Sequence, residues 1–174
     1  MKNFKYILRL TLTLLLITAV VAGLLGLVNY LTEDKIAALT REKTESAMRD
    51  VLPADSYEPI DHAMDGVKEA FRAGDQGYVV HVGTNGFGGE IDMMVGIGAD
   101  GRVCGVSIIS HSETSGLGAN CVREDFRAQY NGADGELAVN KDGGTIDALT
   151  GATVTSRAVT AGVNLALAYV KEVG

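Results

Sequence analysis

The sequence predicts an α+β protein, with one N-terminal transmembrane helix followed by a small, mostly antiparallel sheet with packed helices. Three observations carry this reading. An uncharged apolar run opens the chain. A central stretch, "GYVVHVGTNGFGGEIDMMVGIGADGRVCGVSIISHSE", has the β-rich, glycine-punctuated pattern of strands joined by tight connections. A C-terminal segment, Val154–Val173, repeats Val159, Val163, Leu167 and Val170 at helical spacing.

The first element is "LTLTLLLITAVVAGLLGLV", Leu10 to Val28, which carries no charge. Extended to Leu31, it covers the roughly 30 Å of a bilayer's hydrocarbon core. Lys2, Lys5 and Arg9 precede it, whereas Glu33 and Asp34 dilute Lys35 after it. The positive-inside bias therefore keeps residues 1–9 in the cytoplasm and sends everything after the 10–31 span outside. A signal peptide is the alternative, but its apolar region would be shorter and Ala19–Ala22 is a poor cleavage site. An uncleaved single-pass anchor in the cytoplasmic (inner) membrane is expected. Gly23 and Gly26 leave room for a neighbouring helix, although glycine is common in such spans.

Residues 32–76 are expected to form a charged membrane-proximal helix, ended by Pro53, and a connector of mixed pattern. In the β-rich stretch, Asp100-Gly101 is a hairpin turn between "IDMMVGI" and "RVCGVSII". Gly96-Ile-Gly-Ala-Asp-Gly101 also matches G-x-G-x-x-G, but a strand follows it where dinucleotide binding requires a helix, so it belongs to the hairpin. "ANCVREDFRAQY" reads as a short amphipathic helix stopped by Asn131-Gly132, and "NGADGELAVNKDGG" as a loop or weak strand.

Composition excludes several functions. The formal net charge is -7, with no clustered Lys and Arg for a nucleic-acid backbone and no Trp for base stacking, so no nucleic-acid partner is expected. Cys104 and Cys121 lack C-x-x-C spacing and read as small buried hydrophobes, with a disulfide left open. His62, His81 and His111 have no ligand spacing, so no metal is expected. A G-K-[ST] phosphate loop is absent.

Two segments remain that could carry chemistry. "SHSETSGLGAN", Ser110–Asn120, joins a strand to a helix; Glu113 and Thr114 are polar, Leu117 is apolar, and Gly116 and Gly118 allow the backbone to approach a flat ligand. An ordinary capped turn would read the same way. "TIDALTGATVTSR", 145–157, surrounds a Gly-Ala step with hydroxyls just before the C-terminal helix. The free amides and positive dipole of a helix start suit a phosphate, while Thr153 and Thr155 equally suit a plain cap.

Together the two segments resemble the FMN-binding domain family. Asp147-x-x-Thr150-Gly-Ala-Thr153 is similar to its flavinylation motif, and Glu113-Thr-Ser-Gly-Leu-Gly118 to its second signature, with Ser115 where the family usually has Pro; "GFGGEI" is similar to the start of a family strand. The resemblance implies covalent FMN, joined through its phosphate to Thr153 by a flavin transferase that takes FAD as donor and recognises Asp147. It also implies cofactor contacts from Glu113, Thr114, Leu117, Gly118, Thr150, Gly151 and Ala152, in an FMN-binding domain expected over 77–174. No catalytic acid, base or nucleophile is expected, since the redox chemistry would belong to the flavin.

Over the whole chain the organisation resembles the G subunits of Rnf complexes, ion-translocating ferredoxin:NAD oxidoreductases. The partners implied are the other membrane and iron–sulfur subunits of such a complex. C subunits of sodium-pumping NADH:quinone oxidoreductases are similar but generally longer. A solitary membrane-anchored flavoprotein and a non-redox anchored assembly module remain alternatives.

Overall fold

The computed structural model describes residues 2–174; Met1 and the side chains of Lys2 and Asn3 lie outside the described residues. The first element, α1, is one unbroken helix, Lys2–Val51, so the apolar span and the charged segment after it are continuous. Ala, Leu, Glu, Lys, Arg and Met dominate 35–51 and favour that continuation. Pro53, two residues past the helix end, cannot extend it. In the span, Leu14, Leu24 and Leu25 are each more than half exposed. Thr11, Thr13, Thr18 and Thr32 donate to carbonyls one turn earlier at 2.8–3.0 Å, which satisfies those hydroxyls inside the helix. Within the described residues this is one helix long and apolar enough to cross a membrane.

The second compact unit is Lys43–Gly174. It holds a five-stranded antiparallel meander in sequence order: β1 Glu58–Pro59, β2 Val67–Arg72, β3 Gly77–Asn85, β4 Glu90–Gly98 and β5 Val103–Ser110. The β3–β4 register runs unbroken from Gly77↔Gly98 to Asn85↔Glu90, which leaves Gly86-Phe-Gly-Gly89 as the hairpin tip. The β4–β5 turn lies where Asp100-Gly101 predicts it; Gly101 donates to the Gly98 carbonyl at 2.9 Å, and Asp100 Oδ1 accepts from the Arg102 amide at 3.1 Å.

Both faces of the sheet are covered, which explains why β3 and β4 read as nearly continuous apolar runs. On one face lies α3, Thr153–Val173, whose Val159, Val163, Ala166 and Leu167 pack with Val80, Val82, Met93 and Val95. Each fully buried branched side chain contributes about 1.5–3 kcal/mol of transfer free energy. On the other face the end of α1 brings Ala47, Met48, Val51 and Leu52 onto Ala73, Val79 and Met94. Gly96 and Gly105 sit side by side in the register beneath it. A Cβ on Gly96 would stand 2.5 Å from the Val51 carbonyl oxygen, and one on Gly105 3.2 Å from Val51 Cα. The G-x-G-x-x-G match thus contains the glycine on which a helix end rests, not a phosphate turn.

Two parts differ from expectation. The connector of mixed pattern holds β1 and β2, so the sheet begins at Glu58 rather than at residue 77. A register irregularity between Val67 and Glu69 breaks the period-2 signal that would have revealed β2. The expected helix "ANCVREDFRAQY" is three short pieces: a 3-10 turn Gly118–Val122, α2 Glu124–Arg127 and a 3-10 turn Ala128–Tyr130. Arg123 is extended between the first two, at φ -67° and ψ 140°. Asp125 explains the break, because it accepts from Arg123 Nε at 3.0 Å and from the Phe126 amide at 3.0 Å, competing with helical bonding.

Candidate functional site

Both signature segments contain the same local device. In Leu149-Thr-Gly-Ala152 the Ala152 amide donates to the Leu149 carbonyl at 3.0 Å, with Gly151 third in the turn at φ 76°. In Thr114-Ser-Gly-Leu117 the Leu117 amide donates to the Thr114 carbonyl at 3.2 Å, with Gly116 third at φ 77°. A positive φ at the third position is the mark of a type II turn, and Pro is favoured at the second. Ser115 occupies that second position.

The first turn delivers the chain into α3. Ala152 is the N-cap residue, and no side chain caps the helix. Helical bonding begins with the Ser156 amide on the Ala152 carbonyl at 3.0 Å, so the amides of Thr153, Val154 and Thr155 have no intrahelical partner. Among the described residues nothing hydrogen-bonds the Thr153 hydroxyl, whereas the two hydroxyls that follow it in α3 are occupied. Ser156 Oγ donates to the Ala152 carbonyl and accepts from the Leu149 amide, at 3.0 and 2.9 Å. Thr155 Oγ1, 1% exposed, donates to Glu113 Oε2 at 2.5 Å.

Thr153 lines a cavity of about 440 Å³ together with Glu113, Thr114, Leu117, Gly118, Gly151 and Ala152. Phe87 from the hairpin tip and Val154 and Thr155 from α3 complete its wall. Sequence reasoning did not name these three as site residues; the glycines flanking Phe87 were the available signal. Phe87, Leu117 and Val154 are 75%, 44% and 46% exposed and make the mouth apolar.

Glu113 is the buried charge of this wall. Oε1 accepts from the Gly88 amide at 2.8 Å and Oε2 accepts from Thr155, with the Phe87 backbone nearby. Burial pushes its pKa up, but the donations from Thr155 and Gly88, the Phe87 backbone and the nearby His111 outweigh it, so the carboxyl lies below its ordinary range. A Cβ on Gly118 would strike Glu113 Oε2 and Thr155 Oγ1, and one on Gly86 would strike Glu113 Oε1. These two glycines admit the carboxylate; Gly118 is close-packed against protein.

Asp147 and Thr150 lie elsewhere. Both line a neighbouring cavity of about 530 Å³, bounded also by Asn120, Arg123 and Gln129, with Leu117 common to the two. Asp147 is exposed, and its Oδ1 accepts from Asn140 Nδ2 at 2.9 Å while its amide donates to Gln129 Oε1 at 2.7 Å. The motif therefore turns its acidic residue and its first threonine to one cavity and Thr153 to the other. Cys121 is buried as expected, but Cys104 is exposed, against the expectation of two buried thiols, and both are free.

Comparison with known proteins shows the family. The FMN-binding domain family matches residues 86–168, and the RnfG N-terminal region matches residues 1–51, where α1 ends. The G subunit of the ion-translocating oxidoreductase complex of Pseudomonas aeruginosa is 36% identical, over 95% of this chain and 89% of that protein. The G subunit of the Na(+)-translocating ferredoxin:NAD(+) oxidoreductase complex of Acetobacterium woodii is 35% identical, over 95% of this chain and 92% of its own. Its counterpart in the proton-translocating ferredoxin:NAD(+) oxidoreductase complex of Clostridium ljungdahlii is also 35% identical, over 90% and 88%. The crystal structure of the C subunit of Na(+)-translocating NADH-quinone reductase from Parabacteroides distasonis shares the fold, with a TM-score of 0.52, 17% identity and coverage of 72% of this chain and 79% of that one. With the span, the sheet and both signature turns accounted for, the chain belongs to the FMN-binding domain family, among the G subunits of ion-translocating oxidoreductase complexes.

Proposed function

We propose that this chain is the electron-relay component of a membrane-bound ferredoxin:NAD oxidoreductase of the Rnf type, with FMN held covalently through its phosphate on Thr153. The observation that carries the reading is the unpartnered Thr153 hydroxyl at an uncapped helix start, in the wall of a cavity with an apolar mouth. The residues present fit the group. Unpaired amides at Thr153–Thr155 and the positive end of α3 suit a phosphate. Phe87, Leu117 and Val154 offer apolar surface to a flat ring. FMN supplies the one- and two-electron chemistry, and the chain supplies position, exclusion of water and electrostatics.

The first-turn threonines divide the work. Thr155 is committed to Glu113, which leaves Thr153 as the hydroxyl open to a phosphoryl donor. The exposed Asp147, across the turn, is suitably placed for contact with a flavin transferase without entering the flavin cavity. Covalent attachment prevents loss of the cofactor by dissociation into a large outside volume. Lys2, Lys5 and Arg9 before the span support a cytoplasmic N-terminus and an extracytoplasmic domain. α1 would then be the element that holds the domain among the complex's other membrane and iron–sulfur subunits.

The test is expression of the full chain with a flavin transferase, followed by denaturing electrophoresis. A band that fluoresces as flavin in the wild type and is dark in Thr153→Ala supports the reading. Equal fluorescence in both removes Thr153 from it.

A further inference from the structure

We propose that Glu113 is a positioning residue and not a hydrogen-bonding ligand of the flavin: it locks the acceptor turn to the hairpin tip, and its fixed negative charge in the cavity wall holds the flavin's potential down. This inference rests on the FMN reading above. Both carboxylate oxygens are engaged, Oε1 by the Gly88 amide at 2.8 Å and Oε2 by Thr155 Oγ1 at 2.5 Å. The three segments so joined are the three that meet at the cavity: the tip Gly86–Gly89, the loop 112–118 and the first turn of α3. At Gly86 and Gly118 any Cβ would displace the carboxylate. The clamp also fixes Thr153, two residues before Thr155 in the same turn, without touching its hydroxyl.

No lysine or arginine cancels the charge: among the described residues Glu113 makes no ion pair with either. The titratable groups that face it are His111, whose Nδ1 accepts from the Glu113 amide at 3.2 Å, and the Cys121 thiol of the 3-10 turn. Burial and then the Glu113 charge push that thiol up to about 11, so it stays neutral. An electron arriving in the cavity therefore meets a buried carboxylate at short range, where screening by water is weak. Reduction is disfavoured and the potential is lowered. Polar donors aimed at the ring would act in the opposite sense, and Glu113 cannot be one.

The discriminating variant is Glu113→Gln in the full-length chain. Glutamine keeps the size, its oxygen accepts from Gly88, and its amide nitrogen donates to Thr155, whose hydroxyl rotates to accept. The charge alone is removed. After coexpression with the transferase, Glu113→Gln is expected to carry flavin by mass and to have a midpoint potential shifted to more positive values than the wild type. Thr155→Val, which removes a donor but keeps the charge, is expected to leave the potential in place. A second readout uses the flavin-free chain made without transferase. Because Glu113 titrates below its unfolded value, its contribution is present above pH about 4.3 and disappears as pH falls through the folded pKa. The wild type should lose thermal stability over that acid window, and Glu113→Gln should lose less. A loaded Glu113→Gln chain at the wild-type potential overturns the proposal. So does a Glu113→Gln chain that fails to fold or to load while the wild type loads. If the wild type itself gains no flavin, the FMN reading fails instead, and the acid-window comparison still decides the clamp.

Discussion

Replacing Thr155 with valine removes one donor from the Glu113 carboxylate and little else. The two side chains are nearly isosteric, Thr155 is 1% exposed, and its Oγ1 lies 2.5 Å from Glu113 Oε2. No cavity forms, so the cost is that of a buried hydrogen bond to a charged acceptor, about 1.5–3 kcal/mol. For a unit the size of Lys43–Gly174 this lowers Tm by roughly 5–11 °C. The effect depends on pH with a definite sign. Thr155 is one of the groups that hold the Glu113 pKa below its ordinary value, so the lost stability is fully felt at neutral pH. It shrinks as pH falls through the folded pKa of the carboxyl, which lies below the ordinary glutamate value. The assay is thermal unfolding of the full chain in detergent, followed by circular dichroism at pH 7 and at pH 3. A Tm equal to the wild type at pH 7, or the same drop at both pH values, would refute the argument that the carboxylate depends on this hydroxyl.

Ser115→Pro should stabilise the chain by about 0.4–1 kcal/mol, because Pro suits the second position of the Thr114–Leu117 turn and the Ser115 amide bonds to nothing among the described residues; urea unfolding measures it. Gly96→Val should destabilise by about 1–3 kcal/mol or more, since its Cβ would stand 2.5 Å from the Val51 carbonyl oxygen; the assay is the same, and Gly101→Ala, where a Cβ meets nothing within 4 Å, separates crowding from backbone strain. An epitope fused after Gly174 should be removed by protease from spheroplasts and protected in inverted vesicles, and the reverse pattern would reverse the topology.

The legible parts of the sequence were those with one strong period or one decisive residue. The apolar run, the Asp100-Gly101 turn and the Val159–Val170 stripe each appear where pattern alone predicts them. Strand β2 was not legible, because "VKEAFR" carries charges on both faces, at Glu69 and Arg72, and its register slips after Val67. The helix through "ANCVREDFRAQY" failed for a local reason, an aspartate that bonds its own neighbours. At the site, sequence reasoning grouped the motif residues, and the structure divides them: Thr153 faces one cavity, Asp147 and Thr150 the other. It also treated Glu113 and Gly118 as free to meet a ligand. Their mutual packing is a tertiary fact, and its trace in the sequence is the spacing of Gly86, Gly88 and Gly118 around a single acid.

The central claim is tested most directly by the mass of the full-length chain made with and without a flavin transferase, with the tryptic peptide 142–157 then fragmented. That peptide contains Thr145, Thr150, Thr153, Thr155 and Ser156, so one spectrum compares every hydroxyl of the motif. The account predicts a gain of one FMN in the wild type, located on Thr153, and none in Thr153→Ala. A wild-type chain without the added mass, or FMN on Thr150 or Thr155, would contradict it.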